Sequence, residues 1–344
     1  MRSAKTRAAP WILVASALMA VTLWQTWPGS PNRDSIRIVA MPYLSFAPIF
    51  VALEEGFFAD QGLEVELYPV SRSDAAIPLL VQGEIDVVPA AIMPSFFNMI
   101  ARGAPMRIVA EKGYFDRHAC PYNGIMLRRG LLESGEVRSI ADIRGRTVSL
   151  DRSAPFYFGF SLWLKQGNLT PDDVEVIDLP APARLEAFRA GTLDMAYATE
   201  PWITRISQAG VAELWIKDSE LLPDYQYGFV LFGKSLLLER PEAGEKFMVA
   251  YLRAVRQLNS RGLTQRHIEI LARHTGLDAS FLKEVCWPAI RNDGRVQPES
   301  LAAFQDWAFG EGLINKVTAA GQVYEPRFIE YANRVIDREQ ETRP

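Results

Sequence analysis

Cysteine and histidine are nearly absent. The 344 residues hold two cysteines, Cys120 and Cys286, and three histidines, His118, His267 and His274. Two cysteines do not make a disulfide scaffold. They read as free buried thiols, with pairing left open for an exported chain, because nothing in their spacing places them within bridging distance. His267 and His274 have no third ligand at metal spacing, so no metal is expected. G-x-S-x-G, P-loop and dinucleotide fingerprints are missing as well, and no cofactor is expected. An excess of one charge is also lacking. The formal net charge of -4 leaves no electrostatic footprint for nucleic acid. One uncharged apolar run stands out, WILVASALMAVTLW (Trp11–Trp24), preceded by Arg2, Lys5 and Arg7. It is short for a membrane span and fits the apolar region of a secretory signal. No clean small-x-small cleavage site follows in QTWPGSPN, so cleavage and retention as an anchor through residues 11–24 both stay open. The absence of a nearby cysteine excludes a lipoprotein anchor.

What is present is the composition of a globular chain with a core, 49% hydrophobic and 23% charged. After Asp34, strand and helix patterns alternate. IRIVA (Ile36–Ala40), LEVELY (Leu63–Tyr68), IDVVPA (Ile85–Ala90) and MRIVA (Met106–Ala110) read as strands with helical segments between them. Pro48 suits the first turn of a helix, and Gly83 a C-terminal stop. This βαβ grammar implies a parallel sheet. It restarts after Gly124 with IMLRR, TVSL, VEVIDL and TLDMAYA as strands and SIADIRG as a short helix stopped by Gly145. LVQGEIDVVPA (Leu80–Ala90) matches FRAGTLDMAYA (Phe188–Ala198), pairing Gly83 with Gly191 and Asp86 with Asp194. Both aspartates read as structural. YGFVLFG then predicts a strand returning to the first block, followed by helices over PEAGEKFMVAYLRAVRQLNSRG, HIEILARHTG, SFLKEVC and ESLAAFQDWAFGEGL. Two such blocks facing each other form a cleft at the C-terminal ends of their strands.

The succession FAPIFVALEEGFFADQGLEVEL, SRSDAAIPLLVQGEIDVVPA, GAPMRIVA, IADIRGRTVSLDRSA and AGTLDMAYATEPW resembles periplasmic substrate-binding proteins of the nitrate/sulfonate/taurine and thiamine-pyrimidine type. The likeness covers residues 36–338. It implies an α/β, two-lobed periplasmic-binding-protein fold of type II. Each lobe would be a mainly parallel sheet flanked by helices, with the ligand cleft between them. The implied division is residues 1–34 as signal or anchor, 35–124 as lobe 1, 125–224 as lobe 2, and 225–344 as a return to lobe 1 with C-terminal helices. It further implies a periplasmic monomer, not an enzyme, that binds a small molecule and delivers it to an ABC permease in the inner membrane. Fungal thiamine-pyrimidine synthases share the superfamily but carry a CCCFC motif, which is missing here.

The family's contact loops map onto five stretches. In lobe 1 they supply Tyr43, Ser45 and Phe46, then Ser73 and Asp74 beside Arg72, then Met93 and Pro94 beside Ser95. In lobe 2 they supply Ser153, Phe156 and Tyr157 beside Arg152, then Glu200 and Trp202. Serines at helix N-termini with neighbouring N–H groups suit a carboxylate, sulfonate or phosphate, and each also serves as an ordinary cap. The aromatic side chains suit a planar ligand. Glu200 would accept N–H bonds from an amino-heterocycle or instead face the hinge, whereas Arg72 and Arg152 favour an anion, so ligand charge stays undecided. The expectation is a planar, nitrogen-containing ligand such as a thiamine-precursor pyrimidine. Alkanesulfonate, taurine or nitrate is the second choice.

Overall fold

The computed structural model describes residues 34–70, 75–150 and 156–342. The apolar Trp11–Trp24 run lies outside them. Among the described residues no helix is long and apolar enough to cross a membrane.

Among the described residues ten strands form two five-stranded sheets. They are β1 (Asp34–Ala40), β2 (Leu63–Pro69), β3 (Val87–Ala91), β4 (Arg107–Tyr114), β5 (Asn123–Arg128), β6 (Thr147–Ser149), β7 (Glu175–Ile177), β8 (Met195–Thr199), β9 (Ala212–Lys217) and β10 (Gln226–Phe232). The first sheet has the order β2-β1-β3-β10-β4 and the second β7-β6-β8-β5-β9. In the first, β10 runs antiparallel to both neighbours; in the second, β5 does. The remaining strands of each sheet run the same way. Each sheet is thus mainly parallel with one reversed strand, and that strand is where the chain enters or returns from the other sheet. YGFVLFG forms β10 and rejoins the first sheet, as its sequence implies.

The duplicated motif has a physical basis. Gly83 and Gly191 both take left-handed backbone conformations, φ 79° and 71°, where a side chain would be strained. Asp86 accepts the backbone N–H of Arg37 on β1 at 2.8 Å, and Asp194 accepts that of Thr147 on β6 at 3.2 Å. Each aspartate also pairs with an arginine, Arg37 for the first and Arg128 for the second. They tie equivalent strand starts together, away from the strand ends that face the cleft.

Three expectations are corrected. Cys120 and Cys286 are not free: they form a disulfide with Cα atoms 5.4 Å apart, across a sequence separation of 166. Only the fold brings such distant positions together. SFLKEVC yields a 3-10 turn, Phe281–Lys283, because the chain is held there by the disulfide and by Glu200. SIADIRG likewise winds as a 3-10 turn, Ile140–Ile143, held by the Ser139–Asp142 capping box. Two elements were not anticipated: β9, whose AELWIK is largely half-buried at a sheet edge, and the Arg327–Glu341 helix, which buries Phe328, Ile329, Ala332 and Ile336 on one face and packs on the Pro241–Arg261 helix.

One large apolar core runs through both sheets, and a smaller one of Met126, Phe188, Leu193, Ala196, Ile203 and Ile206 belongs to the second. Two chain crossings, residues 115–122 and 218–225, join the sheets. They are bonded to each other, Phe115 N–H to the Tyr225 carbonyl at 3.0 Å and Asp224 N–H to the Phe115 carbonyl at 2.9 Å.

Candidate functional site

The C-terminal ends of the parallel strands of both sheets, with the starts of β5 and β10, make two rims linked by these crossings. In the first rim Tyr43 is 47% exposed, while Ser45 and Phe46, two and three residues further on in a 3-10 turn, are buried. Pro48 then opens the Ala47–Glu54 helix. The loop is thus anchored by Leu44 and Phe46 and leaves a phenol at its tip.

Beneath it lies Lys112 near the end of β4. Its ammonium donates to Ser45 Oγ at 2.9 Å and sits 4.8 Å from the Phe46 ring centroid. Lys112 is 5% exposed, and burial pushes its pKa down to about 7, against the attraction of Glu111. The neighbouring Glu111 is fully buried; its Oε2 accepts the Arg291 N–H at 2.9 Å and burial pushes its pKa up to about 8. Tyr122, from the first crossing, also borders Ser45. Burial drives its phenol well above the ordinary range, opposed by hydrogen bonding from Ser45. Lys112 and Tyr122 escaped the sequence reading. The available signal was EKGY, a charged pair inside a run that continues the MRIVA strand. Met93 and Pro94 open the Pro94–Ala101 helix, and the buried Ser95 hydroxyl has no partner among the described residues.

In the second rim, the Phe156 ring stacks on Tyr197 with centroids 4.4 Å apart and lies 6.1 Å from Tyr227 of the first sheet. Tyr227 stacks in turn on Phe115 of the crossing at 4.6 Å. Tyr197 is fixed from behind, since its hydroxyl donates to Asp218, whose carboxyl burial holds up at about 7. Phe156 is therefore the ring that bridges the two rims. Tyr157, one residue on, points elsewhere; it packs edge-on against Trp307, 6.0 Å away, and is buried core.

Glu200 turns towards the crossings. It is 2% exposed, and its carboxylate accepts from Thr204 Oγ1 at 2.8 Å, Thr204 N–H at 3.2 Å and Cys286 N–H at 3.4 Å. Burial raises its pKa and these bonds oppose the rise. Trp202 opens the Trp202–Gln208 helix and packs on the smaller core, with the Arg205 guanidinium 5.0 Å from its ring. Ser73, Asp74 and Ser153, with Arg72 and Arg152, lie outside the described residues. The structure thus brings together Ser45, Phe46, Lys112 and Tyr122 on one side and Phe156, Tyr197 and Tyr227 on the other. No group of three or more histidine, cysteine or carboxylate side chains suited to a metal occurs among the described residues.

A family model described as NMT1/THI5 like matches residues 44–260, more than half of the chain. The chain belongs to that family. It is 26% identical over 251 residues to the nitrate import ATP-binding protein NrtC of Synechococcus elongatus, an alignment covering 70% of this chain and 38% of that one. The chain therefore spans about two fifths of the length of this curated relative. Among solved structures, it is similar to the periplasmic nitrate-binding protein NrtA from Synechocystis PCC 6803, with TM-score 0.72, 14% identity and coverage of 90% of each chain. It is also similar to the desulfurization enzyme DSZB, with TM-score 0.65, 16% identity and coverage of 88% of this chain and 100% of that one.

Proposed function

We propose that this member of the NMT1/THI5-like family is a periplasmic solute-binding protein that captures a small molecule between its two rims and presents it to an ABC importer. The observation that carries this reading is the Phe156 bridge. A single partly exposed ring from the second sheet lies between Tyr197 and Tyr227, at the cleft mouth and beside the two mutually bonded crossings. Such a joint suits hinge closure on a ligand. The likeness to an import-system component and to a nitrate-binding protein supports it. The working boundaries are 35–124 and 225–344 for one lobe and 125–224 for the other, acting as a monomer.

The aromatic walls favour a planar ligand, with a thiamine-precursor pyrimidine as one candidate. Lys112 favours the second reading, a nitrate- or sulfonate-like anion. The DSZB likeness concerns the fold, and we infer binding without turnover from the likeness to an import-system component and a nitrate-binding protein; the Lys112–Ser45 contact, a lysine beside a hydroxyl, makes turnover the outcome that the test below must exclude.

The test is a thermal-shift screen of the purified protein against aminopyrimidines, aromatic acids, alkanesulfonates, taurine and nitrate. A ligand at 100 times its Kd adds about 2.7 kcal/mol, visible as a rise of several degrees. Mass spectrometry of the bound compound should recover it unchanged. A panel without any shift overturns the binding role, and a modified product overturns binding without turnover.

A further inference from the structure

A buried ammonium without a carboxylate partner is an expensive arrangement. Lys112 is in that state. Among the described residues its one hydrogen-bond acceptor is the neutral Ser45 hydroxyl, and its other close neighbour is the face of Phe46. Glu111, adjacent on β4, is the carboxylate that acts on it, but Glu111 is engaged by the Arg291 N–H and is itself held towards the neutral form by burial. The other titratable groups around it are phenols. Tyr122 borders Ser45 and has Tyr43 and Glu200 as its own electrostatic neighbours, and Tyr227 on β10 packs over Gly113. Glu200 spends its oxygens on Thr204 and Cys286. Among the described residues that ammonium has no carboxylate bonded to it, and the Ser45–Phe46 loop above it leads to the half-exposed Tyr43.

We propose that Lys112 is the charge-reading residue of the cleft: the missing counter-charge is supplied by an acid group of the ligand, carboxylate, sulfonate or nitrate-like, held by the Lys112 ammonium with the Ser45 and Tyr122 hydroxyls. This rests on the solute-binding reading and narrows it to planar or small acids. Because an incoming anion favours the charged lysine, capture loads a proton onto Lys112 wherever the free protein holds it partly neutral, above about pH 7.

The experiment uses matched pairs of acid and neutral amide: benzoate with benzamide, nicotinate with nicotinamide, and methanesulfonate with methanesulfonamide, together with nitrate. Calorimetric titration of the wild-type protein should show at least one acid bound about tenfold or more tightly than its amide. At pH 8, titrations in buffers of different ionisation heat should show uptake of about one proton per ligand. Lys112→Met should abolish both the preference and the uptake, and Glu111→Gln should leave the uptake in place. Should Lys112→Met not fold, the proton count of Glu111→Gln, in which that carboxyl cannot take up the proton, decides. Amides bound as well as acids, a preference that survives Lys112→Met, or acid binding at pH 8 without proton uptake each overturn the proposal while leaving the solute-binding role intact. Binding of no probe, in a protein that also gives no shift in the wider screen, overturns both.

Discussion

Glu200 shows how much one carboxylate does for the fold itself. Its oxygens cap the start of the Trp202–Gln208 helix through Thr204 and reach across to the Cys286 backbone. Truncation would strand these donors in a buried place, at about 1–3 kcal/mol. Glu200→Ala should therefore lower the urea-unfolding free energy by about 2 kcal/mol and change ligand affinity by less than about threefold. An affinity loss above tenfold with unchanged stability would instead make it a ligand contact. Glu111 gives a pH signature. Its folded pKa of about 8 lies above the ordinary 4.5, so its contribution to stability is complete below 4.5 and is lost as pH rises through 8. Lys112 runs the other way, its contribution lost as pH falls from 10.5 through about 7. Between pH 5 and 7 the Glu111 slope therefore dominates. Glu111→Gln keeps an acceptor for Arg291 and should remove a decline on the order of 2–3 kcal/mol over that window; parallel wild-type and variant curves would contradict this. At this scale the sequence was readable unevenly. Phe46 and Phe156 stand out in the sequence because loop aromatics between strand and helix are conspicuous. Lys112 was not, because a lysine in a strand reads as surface until the neighbouring loop is seen to fold over it.

Elements were more legible than contacts. The parallel strands read as apolar runs, such as IRIVA, or as alternating ones, such as LEVELY, and the Gly-x-aliphatic-Asp frame marks equivalent strands in both sheets. The failures share one cause. β9 and the Phe281–Lys283 turn are shaped by what they lie against: a sheet edge in one case, a disulfide and a buried carboxylate in the other. Local period carries no record of such partners. The Phe156–Gln166 helix shows the division of labour within one element. Its second residue, Tyr157, and its third, Phe158, pack against Trp307 in the core and fix the helix, while its first residue projects Phe156 between Tyr197 and Tyr227. Phe156→Ala should thus cost little stability, about 1 kcal/mol for the lost ring contacts. Affinity for a planar ligand should fall about tenfold or more by calorimetry. Unchanged affinity would remove Phe156 from the site and leave the bridge as packing alone.

At the scale of the whole molecule, three stretches of chain among the described residues tie the two sheets together beside their shared apolar core, and they differ in kind. Two are the paired crossings, whose few backbone bonds at Phe115 can flex. The third is the segment around Cys286, which is bonded to the first crossing through Cys120, to β4 through the Tyr114 N–H and Ala289 carbonyl at 3.1 Å, and to the second lobe through Glu200. A further side-chain bond joins Gln208 to Glu284 at 2.7 Å. This strap closes a long loop, so chain entropy gives a stabilisation of at most about 5 kcal/mol, and measured values for native disulfides centre on about 2–4 kcal/mol. That exceeds any single hydrogen bond at the joint, yet none of the strap's residues belongs to the Ser45–Lys112 or Phe156 groups. Loss of the covalent link in Cys120→Ser/Cys286→Ser should therefore lower the unfolding free energy by about 3 kcal/mol while leaving the far-ultraviolet dichroism unchanged. Saturating ligand should recover much of the loss, since closure adds contacts across the same joint that the strap holds. A double variant as stable as wild type would show that the noncovalent bonds of Glu200 and Ala289 suffice. A variant that loses its secondary structure would show that the strap is needed to form the lobes themselves and does more than hold them together.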